Sequence, residues 1–150
     1  MTKVDERTVV PHVDRGARER LARALDREPV AVAYLFGSQA SGAAGSLSDV
    51  DVAVALVSGA DRATAHSDLL IAAIEALESD EIDLVILDEA SPLLRHRVLR
   101  DGLRLVDRDS RERVRFETRA LLDYFDTAPL RATLAAGRRR RLEEGRFGRR

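Results

Sequence analysis

At 150 residues, with 45% hydrophobic and 34% charged side chains, the chain has the length of one domain and enough apolar content to bury a core. It has no cysteine, which excludes a disulfide framework and a thiolate metal site, and it shows neither a basic-plus-apolar leader nor a run of about 18 apolar residues, so a cytoplasmic protein with no membrane contact is expected. The net charge of −1 is unevenly spread: Arg138 to Arg150 holds seven arginines and two glutamates, giving a basic end of +5 on a body of −6.

Residues 1–13 show no strong period and read as an arm. From Asp14 to Asp26, Ala17, Leu21 and Ala24-Leu25 recur at helical spacing, predicting an amphipathic helix that Glu28-Pro29 ends. Val30 to Phe36 is short, β-branched and aromatic, a buried strand that stops at a Gly37-Ser38 turn. Gln39 to Ser48 is small and polar, with Ser46-Leu-Ser48 leading into Asp49. Asp49 to Leu56 alternates, so it reads as a second strand before a Ser58-Gly59 loop. Asp61 to Glu78 predicts a helix striped by Leu70, Ile74 and Leu77, and Glu81 to Leu87 a third strand. Ser91-Pro92 opens a helix that Asp101-Gly102 closes, and Leu103 to Asp107 reads as a short edge strand. Asp109, with Glu112 three residues on, has the pattern of a capping box. It opens a structural helix with Val114, Leu121 and Phe125 on one stripe; Leu122 lies off it and could join Tyr124 in a partner surface, a core contact or a lid.

These elements predict an α/β (α+β) domain over residues 1–137, a mixed sheet flanked by helices, followed by a basic, disordered tail over 138–150. Contact of that tail with RNA or an acidic partner is the sharper reading, but Phe147 is its lone aromatic residue, too little for base stacking. His12, His66 and His96 lack ligand spacing and read as surface residues.

The chemistry gathers between the first two strands. Side chains on a strand repeat every two residues, so Asp49, Asp51, Ala53 and Ala55 share one face while Val50, Val52, Val54 and Leu56 share the other. Two like charges about 4 Å apart at an effective dielectric of about 20 repel by about 4 kcal/mol, which calls for a cation. Hard oxygen ligands of this kind suit Mg²⁺, which takes one or two carboxylates plus substrate phosphates. Gly37 lets backbone approach closely, and the N–H groups and the Ser38 hydroxyl can hold anionic oxygens. Asp83 shares its strand face with Val85 and Leu87, an odd charge among apolar neighbours and a third acid for the site. A lone Gly-Ser or Asp-x-Asp is commonly just a turn or a strand end; the combination with this spacing is far rarer.

Gly37-Ser38, ten residues, Asp49-Val50-Asp51 and then Asp83 together resemble the nucleotidyltransferases of the DNA-polymerase-β superfamily. The chain's size is similar to the minimal members, the MntA-type antitoxins encoded beside HEPN-domain ribonuclease toxins. The resemblance spans roughly Val30 to Arg131 and implies a polymerase-β-like fold. It implies ATP as donor and transfer of AMP to a hydroxyl, a tyrosine of the cognate HEPN toxin, within a hetero-oligomer that neutralises the toxin. In this reading Asp49, Asp51 and Asp83 are the catalytic and Mg²⁺-binding residues, and Gly37 and Ser38 hold the β- and γ-phosphates. Ser41 stands where many members carry a basic residue, so one phosphate or partner contact is missing there. Two alternatives remain open: a small-molecule adenylyltransferase of the aminoglycoside-modifying kind, and an antitoxin that binds without catalysis. Direct nucleic-acid binding is not expected, for lack of a second domain.

Overall fold

The computed structural model describes residues 13–41 and 49–145. The order is α1 (Arg15–Leu25), β1 (Val30–Phe36), α2 (Ser38–Ser41), β2 (Val50–Leu56), α3 (Arg62–Leu77), β3 (Ile82–Ile86), α4 (Pro92–Asp101), β4 (Leu103–Asp107), α5 (Ser110–Asp126) and α6 (Ala128–Glu143). The four strands form one sheet in the order β3-β2-β1-β4. β1 pairs antiparallel with both β2 and β4, while β2 and β3 run parallel, so the sheet is mixed as expected.

β1 and β2 are the inner strands and are buried almost end to end, which is why they read as near-continuous apolar runs. Each face has its own cluster. Val50, Val52, Val54 and Leu56, with Leu84 and Ile86 of β3, pack under α1 and α3 through Leu21, Leu25, Leu69 and Ala73. Ala53 and Ala55 face the other way, toward Val32, Tyr34, Leu87 and Val98, where α4 and α5 cover the sheet. A register shift between Val30 and Val32 lets Val30 join the first cluster although Val32 and Tyr34 belong to the second.

Caps set the helix ends: Asp14, Asp61, Ser91 and Asp109 each accept a hydrogen bond from an N–H of the first turn. The expected capping box of α5 is half formed. Asp109 Oδ1 accepts from Glu112 N at 3.0 Å, but Asp109 N bonds Ala31 O, and the Glu112 carboxylate is taken by Ser58 and Arg115.

Three expectations change. The inward stripe of α3 is Ala65, Leu69, Ala72, Ala73 and Leu77: Leu77 is buried as expected, Leu70 packs only partly buried at the edge of the core, and Ile74 is not among the buried residues, because small alanines let α3 lie close to α1 and the sheet. On α5, Val114, Leu121 and Phe125 keep helical spacing but face outward, 45–60% exposed, as does Leu122. That helix is held instead by buried Ala120, by Phe116, and by the Tyr34 hydroxyl donating to Glu117 Oε1 at 2.6 Å. Tyr124 packs sideways: its ring stacks on His96 at 3.6 Å and carries the Arg131 guanidinium on its other face. Finally, α6 continues to Glu143, so the basic run beginning at Arg138 starts within a helix, and the 137/138 boundary falls inside α6. Phe147 and most of the N-terminal arm lie outside the described residues.

Candidate active site

The predicted site residues meet at one end of the two inner strands. Asp51 of β2 and Asp83 of β3 are register partners on adjacent parallel strands, and the Val50 N–H donates to Glu81 O at 3.0 Å to lock that register. Asp49 stands just before β2, two residues from Asp51 with buried Val50 between, so the alternation read from sequence holds. Asp51 is half-buried, whereas Asp49 and Asp83 are exposed. Asp83 is therefore not a charge sunk among apolar side chains; β3 is an edge strand, and its Leu84 and Ile86 point into the core on the opposite face.

On the other side of Asp51, Phe36 is its antiparallel partner, and the chain turns at Gly37 with φ of +70°. A Cβ on Gly37 would collide with Asp51 Oδ2 and lie 3.2 Å from its Cγ. Glycine is required here twice, for the left-handed backbone and for room beside the carboxylate. Ser38 follows as the first residue of α2. The buried Gln39 ties this turn to the segment leading into α1, its Oε1 accepting from Val13 N at 3.2 Å. The polar loop expected over Gln39–Ser48 thus begins as a helical turn; the Ser46-Leu-Ser48 approach lies outside the described residues.

The electrostatics follow from this geometry. Partial burial, then the charge of Asp83, then that of Asp49, all push the Asp51 carboxyl above its ordinary value. Among the described residues no three acidic or histidine side chains form a metal cage by themselves. The donor set still fits Mg²⁺, which is held by one or two carboxylates with substrate phosphates and water completing its shell rather than by an all-protein cage. Asp51 would be the central ligand, with Asp83 and Asp49 beside it.

Next to the turn lies a cavity of about 410 Å³ lined by Phe36, Gly37, Arg97 and Asp101. Sequence reading placed Arg97 in an ordinary helix, since nothing in its spacing marks it. A larger cleft of about 670 Å³, between Leu56 and Asp88, lies at the opposite end of β2 from the acids.

A family model described as polymerase beta, nucleotidyltransferase, matches residues 19–111, from α1 through the start of α5. The chain belongs to this nucleotidyltransferase family. The match contains every candidate site residue. Among solved structures, this nucleotidyltransferase is similar to one described as a toxin–antitoxin with AMP-PNP, at 26% identity and a TM-score of 0.66 over 80% of this chain and 96% of that one. It is similar to a variant of the toxin–antitoxin pair MntA-HpeT at 28% identity and a TM-score of 0.61, over 79% and 91%. The fold also matches the Shewanella oneidensis complex of a tri-AMPylated HEPN toxin with an MNT antitoxin, at 24% identity and a TM-score of 0.61, over 81% and 94%. A search of curated proteins finds no match. No helix among the described residues is long and apolar enough to cross a membrane.

Proposed function

We propose that this nucleotidyltransferase is an antitoxin that transfers AMP from ATP to a hydroxyl, a tyrosine, of a cognate HEPN-type toxin and so neutralises it. The observation that carries this is the convergence of Asp51, Asp83 and the Gly37 turn at one point, in a chain that matches 96% and 91% of two neighbours described as toxin–antitoxin structures. The exposed stripe Val114, Leu121 and Phe125, with Leu122 exposed beside it, supports a protein acceptor over a small one, because exposed apolar side chains grouped together mark protein contacts.

Asp49, Asp51 and Asp83 would hold Mg²⁺, which when bound supplies charge neutralisation to the triphosphate. The Gly37 backbone and Ser38 orient the β- and γ-phosphates so that the α-phosphorus faces the acids. Asp83, exposed at the sheet edge, can be reached by an acceptor hydroxyl from solvent and takes its proton. The acceptor oxygen bonds the α-phosphorus, the bond to the bridging oxygen of the β-phosphate breaks, and pyrophosphate leaves.

The test is incubation with ATP labelled in the α-phosphate, Mg²⁺ and the protein encoded by the neighbouring gene. Label should appear on that protein and vanish with Asp49→Ala combined with Asp51→Ala. Toxin inhibition that survives the double substitution defeats the enzymatic reading in favour of a binding antitoxin, and label on an added aminoglycoside alone favours the small-molecule enzyme.

A further inference from the structure

The site as drawn is almost wholly acidic, yet its substrate would be a triphosphate. Three carboxylates gather at Asp51, and the Gly37 turn beside them contributes only backbone dipoles and a hydroxyl. A metal ion offsets part of the repulsion, but a nucleoside triphosphate held against carboxylates needs further cationic contact. The cavity adjoining Gly37 offers one.

Arg97 lines that cavity, and among the described residues it makes no hydrogen bond or ion pair. Its neighbour Asp101 is already engaged, taking Arg100 Nε on Oδ1 at 2.9 Å and Arg100 Nη2 on Oδ2 at 2.8 Å. That pairing, with the weaker pull of Arg97, holds the Asp101 carboxyl below its ordinary value, so Arg97, Arg100 and Asp101 together present one net positive charge. The placement is fixed by backbone. At the end of α4, a Cβ on Gly102 would collide with Val98 O and lie 3.4 Å from Leu35 O, so the last turn is pressed against the end of β1, next to Gly37. Leu103 then pairs with Leu35 across β1 and β4. The helix that carries Arg97 is therefore held against the end of β1, and the exposed Arg97 side chain lines the same cavity as Gly37.

We propose that Arg97 binds the triphosphate of the donor nucleotide in the cavity beside Gly37, as a binding residue of the active site. This rests on the nucleotidyltransferase reading above. A guanidinium offers paired N–H donors that match two phosphate oxygens, and Phe36 gives the same cavity an apolar wall.

The experiment measures AMP-PNP affinity by calorimetry and steady-state AMP transfer for the wild type, Arg97→Ala, Arg97→Lys and, as a charge control, Arg111→Ala on exposed α5. Arg97→Ala should weaken AMP-PNP binding and raise the KM for ATP by roughly ten- to hundredfold, with kcat changed less than about threefold. Arg97→Lys should recover part of the affinity, and Arg111→Ala none of the loss. Unchanged affinity in a folded Arg97→Ala that still transfers AMP overturns the assignment, as does an effect confined to the KM of the acceptor protein. A wild type that neither binds AMP-PNP nor transfers AMP fails differently: it sinks the enzymatic reading itself.

Discussion

Replacing Asp51 by asparagine should raise the melting temperature of the metal-free protein while abolishing AMP transfer. Asp51 and Asp83 face each other on adjacent parallel strands, which lie about 4.8 Å apart. With carboxylates about 5 Å apart, Coulomb's law gives roughly 3 kcal/mol of repulsion at a dielectric of about 20 and roughly 0.8 kcal/mol at 80. Asp83 and Asp49 are exposed, so the lower end applies and about 1 kcal/mol is released on neutralising Asp51. For a chain of this size that is a gain of roughly 2–4 °C. Because the native Asp51 pKa is raised, its protonated form is favoured by folding; the destabilisation is absent below the ordinary value of 3.8 and grows as pH rises through the native value. Thermal melts in EDTA at low salt should therefore show Asp51→Asn ahead of wild type at pH 7.5, with the gap closing toward pH 4. Added Mg²⁺ at about tenfold over its dissociation constant should stabilise wild type by about 1.4 kcal/mol and the variant much less. Equal melting temperatures in EDTA together with equal Mg²⁺ shifts would refute the idea that these acids form an unrelieved cation site.

Gly37→Ala should reduce AMP transfer by at least about a hundredfold and cost about 1–2 kcal/mol in denaturant melts, since the added Cβ needs a left-handed backbone and meets the Asp51 carboxylate. Tyr34→Phe removes the 2.6 Å hydrogen bond to Glu117 and should cost about 1.5–3 kcal/mol in urea unfolding, with AMP transfer intact at temperatures where the variant is folded. Leu21→Ala, fully buried between α1 and the sheet, should cost about 2–5 kcal/mol. Leu121→Ala, 45% exposed, should change stability by less than about 0.5 kcal/mol but weaken toxin capture in a pull-down, and a large loss of stability there would contradict the outward placement of the α5 stripe.

Local pattern was enough for the two inner strands and the acids on them. Val50 to Leu56 alternates with period two, and that period alone sets Asp49 and Asp51 on the face opposite the valines. The helix starts at Asp14, Asp61, Ser91 and Asp109 were equally legible, because a cap is chemistry between residues three apart. Spacing could not say which side of α5 meets the sheet. Two stripes compete on that helix, and the one chosen depends on Tyr34, far away in sequence, reaching Glu117, so a larger apolar stripe was left outside.

What the sequence determined by itself was the list of parts: a glycine-bounded strand, a paired acid and a later one, each readable because side-chain direction follows from backbone period. Only the tertiary structure decided that Asp83 pairs with Asp51 rather than standing elsewhere on the sheet, that Gly37 closes onto that carboxylate, and that α4 carries Arg97 to the same place. The reason is that strand register and helix docking are set by which distant surfaces pack together, and that information is carried by the whole core rather than by any one segment.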